Sequence, residues 1–153
     1  FYAGIGSREC PENILSLMTK VAIVLQSKGY TLRSGGAKGA DKAFEKGAGD
    51  LKEIFKANHA TQEAIECASK FHPAWHNCND YARKLHGRNA MIVLGKQLDV
   101  PVKVVLYWSP GVKLNKGGTS MGVKIAKDNG ICTIDLEEEN DVDKIVELIE
   151  SIK

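Results

Sequence analysis

Val102-Lys103-Val104-Val105-Leu106-Tyr107-Trp108 is the stretch on which the reading of the fold turns. All of it except Lys103 is apolar or aromatic, and no polar residue alternates through it. A short run of this kind suits a central strand covered on both faces, as parallel strands are. Downstream, Ser109 to Lys116 reads as a loop, and Gly117-Gly118-Thr119-Ser120 opens a helix through Val123 and Ala126 to Asn129-Gly130. Ile131 to Ile134 is a last strand. Glu137 to Asp141 is an acidic linker before a terminal helix with Val142, Ile145, Val146, Ile149 and Ile152 inward. Upstream, a helix is predicted from about Asp80 to Leu98, with Ala82, Leu85, Asn89 and Ile92 on one side.

Further upstream the same alternation continues. Phe1 to Ile5 is a buried strand running into Gly6-Ser7-Arg8. Pro11 stands at a helix start, where its missing N–H costs nothing. Ile14, Leu15, Met18, Val21, Ala22 and Leu25 follow at helical spacing, and Gly29 closes the helix at a C′ position. Tyr30 to Arg33 and Lys52 to Lys56 are strands, separated by a glycine-rich turn and a short helix through Ala43, Phe44 and Ala48. Over residues 57–77 the pattern weakens to one short helix, Thr61 to Ser69 with Thr61 as N-cap, and a loop at Phe71 to His76. This segment reads as an insertion within one domain spanning residues 1–153. Strand and helix in alternation specify an α/β fold, a Rossmann-like three-layer sandwich with a mostly parallel central sheet.

The chain has 153 residues, 43% hydrophobic and 26% charged, enough for a packed core without staples. No apolar run approaches the ~20 residues that cross a bilayer, so no membrane partner is expected. The first residues are too short for a signal-peptide core, and the lack of an initiator Met implies a start upstream. Cys10, Cys67, Cys78 and Cys132 show no CxxC spacing and read as reduced thiols of the cytoplasm. A net charge of +2 argues against a dedicated nucleic-acid binder but leaves room for a local basic pocket.

In open parallel sheets, ligands bind beyond the carboxyl ends of the strands. Three strand ends here run into turns rich in Gly, Ser and Thr. They are Gly4-Ile5-Gly6-Ser7-Arg8, Ser34-Gly35-Gly36-Ala37-Lys38-Gly39-Ala40-Asp41 and Lys116-Gly117-Gly118-Thr119-Ser120-Met121-Gly122. Glycine lets the backbone approach a ligand, and helix N-termini offer free N–H groups to a phosphate. Ser7, Ser34, Thr119 and Ser120 add hydroxyls, and Arg8 adds a guanidinium fork. The combined expectation is a site for a phosphorylated or otherwise anionic small molecule. Neither a Walker loop nor a GxGxxG fingerprint is present.

Tyr2-Ala3-Gly4-Ile5-Gly6-Ser7-Arg8, the turn from Ser34 to Asp41, Arg88-Asn89, and Gly117-Gly118-Thr119 with Ile125-Ala126 together resemble the SLOG superfamily. These Rossmann-like domains include the DNA-processing protein DprA, LOG-type phosphoribohydrolases and ligand-sensing domains of conflict systems. The chain is most similar to the compact DprA-like group of phages and mobile elements. The resemblance implies a nucleotide or nucleotide-derived ligand, held by Gly6, Ser7, Arg8, Ser34, Gly35, Gly36, Ala37, Gly39, Asp41, Gly117, Gly118, Thr119 and Ser120. The base or ribose would lie near Arg88, Asn89 and Trp108. It also implies pairing into a homo-oligomer. LOG-like members cleave the N-glycosidic bond of nucleoside monophosphates with an Arg, matched here by Arg88, and a Glu after the third turn. Ser120-Met121-Gly122-Val123 stands where that Glu would be. Asp41 is the acid that could substitute, which keeps Arg88 and Asp41 as catalytic candidates while weight shifts toward binding. A DprA-like role on single-stranded DNA is a further alternative, which the near-neutral charge disfavours.

Each candidate also has a plainer reading. Arg88 could be a solvated helix charge and Asp41 a helix N-cap. Trp108 and Trp75 could be core, and Cys10 could be packing rather than a thiol activated by a helix start. His72, His76 and Cys78 carry ligating atoms, but Pro73 interrupts them and no HExxH helix or second Cys pair is present. Neither a metal nor a cofactor is read from the sequence.

Overall fold

The computed structural model describes residues 1–110 and 117–152. Five strands, β1 (Tyr2–Gly6), β2 (Leu32–Ser34), β3 (Lys52–Ile54), β4 (Val104–Trp108) and β5 (Cys132–Asp135), form one sheet. Its order is β3-β2-β1-β4-β5, and every pairing is parallel. The helices are α1 (Glu12–Ser27), α2 (Ala40–Ala48), α3 (Gln62–Ser69), α4 (Asp80–Leu94), α5 (Gly117–Asp128) and α6 (Val142–Ser151). The expected Rossmann-like α/β sandwich is therefore present. The third turn's Lys116 and most of the loop expected over Ser109 to Lys116 lie outside the described residues.

Successive strand residues point to opposite faces, and the two cores divide accordingly. Tyr2, Leu32, Val104 and Leu106 pack with the buried faces of α1, α2 and α6. Ala3, Ile5, Val105 and Tyr107 pack with those of α4 and α5. Val104 to Trp108 is apolar or aromatic throughout because β4 faces a helical layer on each side. No helix among the described residues is long and apolar enough to cross a membrane.

Caps set several boundaries. Thr61 accepts from the Ala64 amide at 3.1 Å, and Asn79 accepts from the Ala82 amide at 2.8 Å. Asp141 does the same for α6 through the Lys144 amide at 3.2 Å. The sequence reading carried α4 to Leu98, but the helix stops at Leu94. Gly95 takes a φ of 95°, and the Val102 amide then donates to Val93 O at 2.9 Å, turning the chain toward β4. Over residues 57–77, α3 is joined by two short 3-10 turns, the second, Trp75–Asn77, overlapping the end of the loop expected at Phe71 to His76.

Candidate functional site

The order β3-β2-β1-β4-β5 places a topological switch between β1 and β4. The chain leaves β1 for the α1 layer and β4 for the α5 layer, so a crevice opens between the two departing turns. A cavity of about 450 Å³ occupies this crevice. Gly6, Ser7 and Arg8 line it from the first turn, and Ala37 and Asp41 from the second. Gly117, Gly118 and Thr119 line it from the third, with Arg88 and Asn89 of α4 between them.

Backbone bonds tie the turns to one another. The Ser7 amide donates to Trp108 O at 3.0 Å, so β1 and β4 stay paired to the rim. The Ala40 amide donates to Ser7 O at 3.1 Å, joining the second turn to the first. Gly39 makes that junction with a φ of 84°, and a Cβ there would sit 2.6 Å from Arg8 O. Both facts call for glycine. Ser34 is fully buried, and its hydroxyl donates to Gly4 O at 2.6 Å. It braces two strand ends rather than presenting a donor to the cavity.

Arg88 is the hub from the other side. Its Nη1 donates to Gly35 O at 2.9 Å and to Phe55 O at 3.1 Å, and its Nε donates to Asn89 Oδ1 at 2.8 Å. The Asn89 amide in turn donates to Gly118 O at 3.3 Å. One Arg-Asn pair on α4 thus spans the second and third turns. The Arg88 fork is consumed partly by backbone carbonyls, so its role includes shaping the site. Arg8 is exposed at the mouth, and among the described residues its guanidinium pairs with no side chain.

Asp41 does not cap α2. It is the second helical residue and reaches back, its Oδ2 accepting from the Ala37 amide at 3.2 Å. Burial pushes its carboxyl up to about 6, against the opposing pull of the Ala37 and Gly35 amides and the charges of Arg88 and Lys56. A carboxyl in that range exchanges its proton near neutral pH.

The remaining expected residues sit close by but do not line the cavity. Gly35 lies against the Arg88 guanidinium, and Gly36 lies against Lys56. Ser120 is buried in the first turn of α5. Trp108 turns its indole Nε1 to Glu137 Oε2 at 2.6 Å and packs on the α1-side core. Ile5, Ala82, Leu85, His86 and Ser109 line the cavity as well, Ala82 and Leu85 on the helix side expected to carry Asn89. Leu85 and His86 lie one turn before Arg88-Asn89 on the same helix, which was the available signal. Burial, His72 and Arg88 push His86 down to about 4, so it is neutral. Cys10 is no thiolate: burial and Glu137 push its thiol up to about 11.

Comparisons with family models, with characterised proteins and with solved structures find no match to this chain.

Proposed function

We propose that the protein binds a nucleotide or nucleotide-derived ligand in the crevice between β1 and β4. The phosphate lies against the amides at the start of α5 in the third turn, the Ser7 hydroxyl and the Arg8 fork, and the base or ribose lies toward Arg88 and Asn89. One observation carries this reading: three glycine-rich turns, the first and third more than a hundred residues apart in the chain, line a single cavity. Its volume of about 450 Å³ falls within the ~300–1,000 Å³ of small-molecule sites. The resemblance to SLOG domains supports the same class of ligand. The test is thermal melting with AMP, with adenosine and with inorganic phosphate, alongside mass spectrometry of small molecules released on denaturation. A nucleotide recovered from the protein, or a melting shift with AMP that adenosine does not give, is the expected result. No shift with any nucleoside monophosphate and no released nucleotide would overturn it.

A second reading is cleavage of the N-glycosidic bond, and the position of Asp41 favours it. This carboxyl lines the cavity and is held near 6, suited to moving a proton or orienting water at an oxocarbenium-like centre. Free base released from AMP or a related monophosphate, and lost in Asp41→Asn, would establish it. Binding without release leaves the first reading alone.

A further inference from the structure

Beside the cavity, His72 and Cys78, six residues apart in the sequence, converge with His86 of the neighbouring helix. His72 follows α3, Cys78 follows the 3-10 turn at Trp75–Asn77, and His86 lies on α4. One ligating atom from each lies within 4.8 Å of the other two, and all three residues are half-buried. Cys78 Sγ is 3.7 Å from His72 Nε2. Sulfur and nitrogen bound to one tetrahedral ion, at ~2.3 and ~2.0 Å, would stand about 3.5 Å apart. The two imidazole rings are 4.7 Å apart, and Trp75 stands about 6 Å from each as a wall.

A second observation points to a missing partner. His86 Nδ1 is buried and hydrogen-bonded to nothing among the described residues. Buried ring nitrogens are rarely left this way, and an ion or water is the usual answer. His76, the other histidine of the segment, is exposed and outside the cluster.

We propose that His72, Cys78 and His86 form a binding site for a borderline-soft divalent cation of the Zn(II) class. Two imidazoles and one thiolate select such ions over Mg(II) or Ca(II), which want oxygen. Three protein ligands leave a fourth position for water or a ligand group, the composition of an open site. His86 also lines the nucleotide cavity, so the ion would join the segment after α3 to the cavity wall. This site does not depend on what the cavity binds.

Loading the ion rearranges protons locally. Without metal, the Ala74 amide donates to His72 Nδ1 at 3.0 Å, which leaves the ring proton on Nε2, facing the sulfur. The Cys78 thiol donates to Ala74 O at 3.8 Å. On binding, the thiol proton leaves to solvent and the His72 proton moves from Nε2 to Nδ1, so the Ala74 amide gives up its bond to that nitrogen.

The test uses the full chain, stripped with chelator and titrated with Co(II) as the spectroscopic probe, then with Zn(II) as competitor. One equivalent of Co(II) should give visible bands of tetrahedral strength and a sulfur-to-cobalt charge-transfer band, both displaced by Zn(II). Cys78→Ser should abolish the charge-transfer band, and Cys78→Ser and His72→Gln should each weaken Co(II) binding by more than about 100-fold, beyond the loss typical of outer-shell changes. His76→Gln should leave both unchanged. Circular dichroism of the stripped variants checks that they are folded. Absence of a one-equivalent thiolate spectrum would overturn the site. So would a charge-transfer band that persists in Cys78→Ser, since Cys10, Cys67 or Cys132 would then be its source.

Discussion

Asp41→Asn isolates the electrostatics of the cavity wall. The wild-type carboxyl rises from the ordinary 3.8 to about 6 on folding, chiefly because burial penalises its charged form. The folded state therefore holds this proton more tightly than the unfolded chain does. Its contribution to stability is fully present below about pH 3.8 and is lost as pH rises through about 6. Across that interval, at ~1.36 kcal/mol per pH unit, the loss amounts to about 3 kcal/mol. Asn keeps the shape and does not titrate. Urea unfolding of both proteins, from about pH 4 to about pH 7, gives a difference in which the other titrating groups cancel. The stability of wild type minus that of Asp41→Asn should fall by about 2.4 kcal/mol over this range, the rest of the effect lying below about pH 4. A flat difference would show that burial and the opposing charges and amides cancel, so that the carboxyl is not raised on folding. A rising one would show that the Arg88 charge and the amides of Gly35 and Ala37 outweigh burial.

Other substitutions probe the cradle. Arg8→Ala should weaken AMP binding, measured by calorimetry, by ~1.5–3 kcal/mol with little change in melting temperature, because a charged hydrogen bond is lost from an exposed side chain. Equal affinity would remove Arg8 from the site. Gly39→Ala forces a Cβ toward Arg8 O at a positive φ. It should cost about 1–3 kcal/mol in urea unfolding and weaken AMP as well, since it separates the first turn from the second. A variant as stable as wild type would refute the tight junction.

Much of the site was legible before folding because its logic is local. Glycine, serine and threonine after an apolar run mark a strand–helix turn, and Gly6, Ser7, Arg8, Ala37, Asp41, Gly117, Gly118 and Thr119 do line one cavity. The functions of the other turn residues were not legible. Ser34 and Ser120 carry hydroxyls as Ser7 does, yet both are buried, and Ser34 bonds to Gly4 O. Trp108 ends β4 beside the crevice, but its indole turns to Glu137, twenty-nine residues away. Nothing in local composition distinguishes these outcomes, because each depends on a neighbour distant in sequence.

The sequence by itself determined the α/β class and the places where strands give way to glycine-rich turns. Periodicity and turn chemistry act over a few residues, and the doubly covered β4 wrote its burial directly into an unbroken apolar run. Only the tertiary structure decided that β4 lies beside β1, which opens the crevice, and that Arg88 reaches Gly35 and Phe55. Only it brought His86 to His72 and Cys78. Such meetings depend on the packing of whole layers, where small energies sum over many long-range contacts that no short window of residues contains.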